Sequence, residues 1–264
     1  MRASHTETIV PASEAEAVAA FGDGAKVTVL AGGTILMPEV AYGRYPRGGR
    51  TLMLHRAGLG GVSGTGDGPV TIGAMTTLSE VAATGIEPLA TAAGAVADRE
   101  IREQATIGGN LCAPPGVESP RGDLQAPLLA MDARARTSGP GGERTESVDD
   151  FLSDPQARLL LSIEFRRPAR GSYVTQRRAH AHAYSVLAVA AAEFDGTVRL
   201  AAAGVGPRAV RLPAVEAALA DGGSPEQAAA RAARDIAAHD DALASAWYRS
   251  EILPVLITRA LQRL

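Results

Sequence analysis

The chain has 264 residues, of which 46% are hydrophobic, 21% charged and 4% aromatic, and its formal net charge at pH 7 is -3. This composition indicates a soluble globular protein with one compound domain or two small ones, and it argues against nucleic-acid binding. The N-terminal stretch lacks the apolar core of a secretory signal, and no apolar run is long enough to span a membrane. The sequence therefore predicts a cytoplasmic protein with no membrane or nucleic-acid partner.

The only cysteine is Cys112. A single thiol excludes internal disulfides, and it also excludes an iron–sulfur cluster held by these residues alone, because the common clusters use four thiolates. Next to a glycine pair, Cys112 is better explained as a small packing residue than as a reactive one.

The first third of the chain alternates helix and strand signals. Residues 11–24 predict a helix with Ser13 as its N-cap and paired glycines at its end. Residues 27–30 predict a buried strand that runs into the glycine corner 31–34, and residues 50–57 predict a second short strand.

The middle of the chain continues this alternation. Residues 69–82 predict a strand followed by a helix that begins near Thr77, and residues 87–104 predict one continuous helix that leads into the second glycine corner. Beyond it, the sequence "SGPGGE" predicts the turn of a hairpin, and residues 157–168 predict a strand stopped by Pro168.

From Gly171 onward the pattern changes to strands with a turn at Asp195–Gly196, followed by alanine-rich helices. A boundary is predicted near 168–172. The predicted domains are residues 1–168, with two lobes that divide near 55–60, and residues 171–264.

Two glycine corners carry most of the functional signal. Ala31-Gly32-Gly33-Thr34 follows a strand, and residues 106–110 (Thr-Ile-Gly-Gly-Asn) follow a helix. Each is predicted to offer consecutive N–H groups and a threonine hydroxyl to a phosphate. Neither fits a standard nucleotide fingerprint, and either alone is more typical of a tight turn. Two corners together with Asp123, which could accept from a ribose hydroxyl, favour a dinucleotide site modestly.

Seven segments together carry a family resemblance: "LAGGTILMP", "VTIGAMTTLSEV", "ATIGGNL", "SPRGDLQAPLLAMDA", "LLLSIEF", "GVGP" and "SAWYR". In this order they resemble the FAD-binding medium subunit of molybdenum hydroxylases, a family that includes carbon monoxide dehydrogenase, xanthine dehydrogenase and aldehyde oxidoreductase. The resemblance implies an α+β protein. Its parts are a two-lobed FAD-binding fold of the vanillyl-alcohol-oxidase (PCMH) type and a small α/β C-terminal domain of the CO dehydrogenase flavoprotein type.

The resemblance also implies where FAD binds. The first corner would wrap the pyrophosphate, the second would line the other side near the flavin, Ser119 and Asp123 would hold the adenine–ribose end, and Leu160 would pack on the isoalloxazine. Val96 and Ala97 would border the flavin, and Arg102 could reach its edge. The implied cofactor residues are Val29, Leu30, Ala31, Gly32, Gly33, Thr34, Ile35, Leu36, Val96, Ala97, Arg102, Ala105, Thr106, Ile107, Gly108, Gly109, Asn110, Ser119, Asp123 and Leu160. No histidine or cysteine occupies a position suited to attach the flavin, so the FAD is expected to be non-covalent.

The chain departs from the family pattern at three places. The loop between Asn110 and Asp123 is longer than in xanthine dehydrogenases, and "YGRYPRGGRT" replaces the usual basic segment after the first corner. Relatives usually carry a lysine near the flavin where this chain has residues 174–176. Arg177 could supply that charge instead.

Three further patterns have simpler explanations. The G-x-G-x-x-A match at 204–209 contains Pro207 and is predicted to be structural. The pair His180 and His182 lacks a third metal ligand, so no metal site is expected; with Tyr184 it could instead face a substrate or electron acceptor. Asp240 and Asp241 are predicted to cap the following helix.

The main functional hypothesis is an FAD subunit that relays electrons from a 2Fe-2S small subunit, within a complex that also has a molybdopterin-binding large subunit, to an external acceptor. The alternative is a stand-alone FAD-dependent oxidase or dehydrogenase with its own small-molecule substrate. Two weaker alternatives are a reductase of the same fold group, for which the proton-donating residues are not evident, and a flavin-binding protein without turnover. No catalytic acid or base is identified in any of these hypotheses.

Overall fold

The computed structural model describes residues 7–44, 49–64, 68–113, 122–155, 157–177 and 185–264. Three strands near the N-terminus form a parallel sheet: β1 (Glu7–Ile9), β2 (Val27–Leu30) and β3 (Arg50–Met53), in the order β1-β3-β2. Helix α1 (Glu14–Phe21) links the first two strands, and α2 (Leu36–Ala41) follows the second. The predicted cap is confirmed, since Ser13 Oγ accepts the Glu16 N–H at 3.2 Å.

A second sheet has five antiparallel strands in the order β4-β5-β8-β6-β7. These are β4 (Val62–Ser63), β5 (Val70–Gly73), β6 (Arg134–Gly139), β7 (Gly142–Ser147) and β8 (Leu159–Phe165). The predicted hairpin is confirmed, because β6 and β7 pair from Arg134–Ser147 to Gly139–Gly142. The helix predicted near Thr77 is also confirmed, with a capping box between Thr77 and Glu80.

Six short helices belong to the same part of the chain: α3 (Leu78–Ala83), α4 (Leu89–Gly94), α5 (Arg99–Gln104), α6 (Ile107–Leu111), α7 (Gln125–Ala130) and α8 (Val148–Phe151). The continuous helix predicted over 87–104 is wrong. Ala97 has φ +42°, which interrupts the helix, and the Asp98 side chain then caps a new one by accepting the Ile101 N–H. The break creates a loop at residues 95–98.

The third sheet has four antiparallel strands in the order β12-β11-β10-β9. They are β9 (Arg170–Arg177), β10 (Ser185–Phe194), β11 (Thr197–Ala203) and β12 (Val210–Arg211), and they are followed by helices α9 (Pro213–Ala220), α10 (Pro225–Ala229) and α11 (Ala246–Gln262). The predicted turn at Asp195–Gly196 is confirmed. The glycine-rich segment after β11 leads into the antiparallel strand β12, so it is not a Rossmann site, as predicted.

Buried side chains form three apolar clusters: one joins the five-stranded and four-stranded sheets, one lies between the four-stranded sheet and the C-terminal helices, and one lies between the N-terminal sheet and β8. The link from β8 to β9 overlaps the boundary predicted near 168–172, which stays a prediction. The two parts of the chain meet in a hydrogen bond of 3.1 Å from the Ala209 N–H to Gln125 Oε1. Within the described ranges, no helix is long and apolar enough to cross a bilayer.

Candidate functional site

The first glycine corner presents backbone N–H groups with no partner in the described part of the chain. The corner, residues 31–34, and the following Ile35 lie between the end of β2 and the start of α2. Gly33 has φ +75°, a conformation that L side chains rarely adopt. The N–H groups of residues 32–35 have no hydrogen-bond acceptor among the described residues. Consecutive free N–H groups in a turn bind anionic oxygens, so this corner suits a phosphate group.

The second corner differs, because its N–H groups are already used within the protein. Residues 107–111 form α6, and the N–H groups of residues 107–110 all donate internally; Gly108 donates to the Ala74 carbonyl at 2.9 Å, and Gly109 donates to Thr106 Oγ1 at 3.1 Å. The prediction that this corner offers a row of free N–H groups is therefore wrong. The Thr106 hydroxyl keeps its own proton as a donor.

The fold places the two corners in direct contact. A Cβ added at Gly32 would lie 1.9 Å from the Gln104 carbonyl oxygen, and a Cβ added at Gly109 would lie 3.8 Å from the Ala31 Cβ. Gly32 is thus required for backbone packing between the corners, and the free N–H groups lie beside the second corner. The assignment of both corners to a bound cofactor stays a prediction, but their proximity is what one continuous ligand would need.

Two arginines hold the loop at residues 95–98 through three consecutive carbonyl groups. Arg177 donates to the Ala95 carbonyl, and Arg102 donates to the carbonyls of Val96 and Ala97, at 2.8 Å each. Arg102 therefore positions the loop predicted to border the flavin, in place of the free cation at the flavin edge that the sequence suggested. The alternation along β9 puts Arg177 on the same face as Tyr173.

Asp123 lies beside the second corner in a desolvated polar cluster. Its carboxylate accepts from the Asn110 side-chain amide at 3.4 Å, while Asn110 Oδ1 accepts the Leu124 N–H at 2.9 Å. Burial raises the pKa of the Asp123 carboxyl above its usual value; hydrogen bonds from Asn110 and Ser185 and the charge of Arg177 oppose this shift. Keeping the Asp123 carboxylate ionised therefore lowers the free energy of unfolding, and such a cost is typical of a ligand-binding group.

We expect Asp123→Asn to stabilise the ligand-free protein at pH 7 and to weaken FAD binding. A raised pKa in the folded state contributes stability at low pH, and that contribution is lost as the pH rises through the folded pKa. The variant's advantage should therefore vanish below about pH 4. Loss of a charge-assisted hydrogen bond should weaken FAD binding by about 1–3 kcal/mol.

Thermal unfolding over a pH series, together with FAD titration, checks both effects. The exposed carboxylate of Asp154 provides the control, since Asp154→Asn should change neither. Equal pH dependence of stability in wild type and Asp123→Asn would contradict the prediction.

The remaining predicted residues are distributed as follows. Leu160 is buried in β8 with 4% exposure, and Cys112 is partly buried, with burial raising the pKa of its thiol to about 12. Ser119, His180, His182 and Tyr184 lie outside the described residues. Among the residues that are described, no group of three or more His, Cys, Asp or Glu could hold a metal ion.

The helix cap predicted at Asp240 and Asp241 is confirmed for Asp240 alone, whose side chain accepts the N–H of Ala246, the first residue of α11. The N-cap residue itself is Ser245, whose side chain accepts the Tyr248 N–H, while Asp241 binds the fully buried Arg249 at 2.6 Å. The sequence analysis missed this ion pair. The local pattern carries no signal for it, because the neighbouring Trp247 is 71% exposed and does not mark this part of the helix as buried.

The comparisons with known proteins agree with these features. Residues 4–165 match the family model for the FAD binding domain in molybdopterin dehydrogenase, and residues 173–264 match the CO dehydrogenase flavoprotein C-terminal domain. The chain is 34% identical over 196 residues to the uncharacterized protein YgfM of Escherichia coli K12, covering 72% of this chain and 71% of that protein.

Two further similarities concern carbon monoxide dehydrogenase from Hydrogenophaga pseudoflava. The medium chain is 32% identical over 170 residues, which is 60% of this chain and 57% of the relative. A solved structure of that enzyme matches with a TM-score of 0.82 and 26% identity, over 100% of this chain and 98% of the matched one. The fold inferred from the seven sequence segments is thereby confirmed.

Proposed function

Since the chain belongs to the family of FAD-binding domains in molybdopterin dehydrogenases, we propose that it receives electrons from an iron–sulfur partner protein and passes them to an external acceptor. The cofactor of this oxidoreductase family is FAD. The relay step and the identity of the partners are our proposal.

The free N–H groups at residues 32–35 support FAD binding most directly. They fit the pyrophosphate, which needs several donors at short spacing and no side chain in between. The contact between Gly32 and Gln104 sets these donors beside the second corner, where the Thr106 hydroxyl supplies one more. When bound, the flavin supplies the capacity to exchange electrons one or two at a time, and the protein supplies binding and electrostatics.

The need for a partner follows from the cysteine content. These residues contain one cysteine, and the common iron–sulfur clusters take four thiolates. The relative from Hydrogenophaga pseudoflava is named the carbon monoxide dehydrogenase medium chain, and a medium chain is one subunit of several. We therefore propose a 2Fe-2S subunit as electron donor and a molybdopterin-binding subunit as the site of substrate oxidation.

We expect the purified chain to carry FAD that denaturation releases, and to resist reduction by small organic substrates. The test is anaerobic mixing of the FAD-loaded chain with candidate purines, aldehydes and carbon monoxide while the flavin absorbance is recorded. A substrate of the complex should bleach the flavin once the proposed iron–sulfur and molybdopterin subunits are added.

Two outcomes would contradict this proposal. A chain that takes up no FAD would not be a flavoprotein subunit. Bleaching by an organic substrate without any partner would instead favour the stand-alone oxidase or dehydrogenase.

A further inference from the structure

A cavity of about 180 Å³ lies where the segment around Asp123 meets the four-stranded sheet. Residues from both parts of the chain line it, among them Gly122, Asp123, Tyr173, Ser185, Gly204 and His239. Of the residues predicted to bind FAD, only Asp123 appears among the lining residues described. The cavity is thus adjacent to the proposed cofactor site and made mostly of other residues.

The hydroxyl of Tyr173 is the unexplained group in this cavity. Tyr173 is 5% exposed, and its oxygen is buried with no hydrogen-bond partner in the described part of the chain. The hydroxyls of Ser185 and Thr175 lie near enough to lower the pKa of Tyr173, but neither lies within hydrogen-bonding distance and angle of its oxygen. Burial raises the pKa of this phenol above its usual range, so the group stays protonated and is available as a donor. Buried polar groups are almost always paired, and an unpaired one lining a cavity indicates a missing ligand atom.

The charges around the cavity indicate a neutral ligand. Asp241 is paired with Arg249 at 2.6 Å, and Arg208 with Asp149 at 2.6 Å. Burial raises the pKa of Asp123 and so disfavours its charged form, while the charge of Arg177 opposes this shift. Among the described lining residues, the charges of Asp241 and Arg208 are therefore paired and that of Asp123 is disfavoured, so a charged ligand meets no free opposite charge here.

The size of the cavity limits the ligand to a single ring. An engineered cavity of about 150 Å³ is large enough to hold benzene. The present cavity is slightly larger, and its walls include the small apolar side chains of Ala188, Ala203 and Pro207. A ring with one or two polar substituents fits this combination of volume and lining.

We propose that this cavity binds an uncharged single-ring molecule whose carbonyl oxygen or ring nitrogen accepts the hydrogen bond of Tyr173. Asp123 lies between this cavity and the proposed flavin site, so the ring would be held next to the cofactor. The placement of the ring next to the cofactor rests on the proposed function, whereas the binding site in the cavity does not.

The probe for the test is 2-pyridone, a neutral ring amide, titrated into the FAD-loaded protein by calorimetry. We expect saturable binding that Tyr173→Phe weakens roughly three- to tenfold, the usual range for one neutral hydrogen bond. Benzoate, of similar size but charged, should bind more weakly than 2-pyridone. Tyr248→Phe is the matched control: it removes the same atom outside the described lining of the cavity and should leave the affinity unchanged.

A second measurement keeps the test informative if 2-pyridone affinity is low. Without ligand, Tyr173→Phe should unfold at the same or a higher temperature than wild type, because the hydroxyl it removes has no partner. The FAD content should stay at the wild-type level. A lower unfolding temperature would indicate that the hydroxyl is paired within the protein and would overturn the proposal.

Other results would also overturn it. These are no saturable binding of 2-pyridone, equal binding by Tyr173→Phe, or loss of FAD in that variant, which would make the cavity part of the flavin site. Failure of the proposed function looks different: a protein without FAD that still binds 2-pyridone through Tyr173 would refute the flavin role and retain this site.

Discussion

Replacing Gly32 with alanine is expected to abolish FAD binding and to lower the free energy of unfolding by about 3 kcal/mol or more, at the upper end of the overpacking range. The added Cβ would lie 1.9 Å from the Gln104 carbonyl oxygen and 2.8 Å from its carbonyl carbon. Backbone atoms cannot rotate away as a side chain can, so the two glycine corners must separate. The free N–H groups at residues 32–35 would then lose their position beside Thr106.

The control for this substitution is Gly43→Ala. Gly43 also has a positive φ, +68°, but a Cβ there would meet no atom within 4 Å. We expect Gly43→Ala to lower the free energy of unfolding by about 1 kcal/mol through backbone strain alone, and we expect the variant to bind FAD normally. Thermal unfolding and FAD titration measure both variants. If Gly32→Ala matched Gly43→Ala in both measurements, the contact between the corners would not organise the cofactor site.

The sequence pattern identified both glycine corners as important, but the reason that it suggested for Gly32 differs from the one that the structure shows. Two glycines after a strand suggested close approach of a ligand, while the structure shows that Gly32 is required by the Gln104 carbonyl. Contacts between segments that are distant along the chain do not appear in local patterns. A glycine required for ligand approach and a glycine required for backbone packing therefore look the same in the sequence, and only the structure distinguishes them.

Local patterns predicted secondary structure well where capping and turn chemistry were strong. The helix after Ser13, the helix after Thr77 and the hairpin at "SGPGGE" were all predicted and are confirmed. The break at Ala97 was not predicted, because alanine carries no signal for positive φ. Three carbonyls held by Arg102 and Arg177 stabilise that break, and such long-range bonds depend on the tertiary fold.

The chemistry of the candidate site was predicted in part. Asp123 was selected as an acceptor, and the structure shows that burial raises its pKa while its neighbours Asn110 and Arg177 oppose the shift. The Tyr173 cavity was missed, although Tyr173 and Arg177 share a face of β9 by simple alternation. The unpaired hydroxyl of Tyr173 is significant because it is buried. That burial depends on residues from both parts of the chain, so the local pattern does not show it.

The largest effect in the C-terminal part is expected from Arg249→Met, which should lower the free energy of unfolding by about 3–5 kcal/mol, the usual cost of breaking a buried ion pair. Arg249 is fully buried and donates to the carbonyls of Val186 and Gly204 as well as to Asp241. It thereby joins α11 to the ends of β10 and β11. Methionine fills similar volume but leaves three acceptors without this donor.

The pH dependence of unfolding distinguishes loss of this ion pair from loss of packing. Burial alone would raise the pKa of Asp241, but the N–H groups of Leu243 and Ala244 and the charge of Arg249 outweigh it, and the pKa is lowered overall. A lowered folded pKa gives stability that is present above the unfolded value, about 4, and is lost as the pH falls through the folded value. Arg249→Met should therefore lose less stability than wild type on acidification.

Arg263→Met, at the C-cap of the same helix, provides the control, because Arg263 is exposed and its replacement should change the free energy of unfolding by less than about 0.5 kcal/mol. Denaturant unfolding at pH 7 and between pH 5 and 3 measures all three proteins. Parallel acid limbs for wild type and Arg249→Met would show that Arg249 does not stabilise the Asp241 charge, and would contradict the prediction. A flatter limb for Arg249→Met would show that the ion pair contributes to stability, beside the hydrogen bonds by which Arg249 holds the carbonyls of Val186 and Gly204.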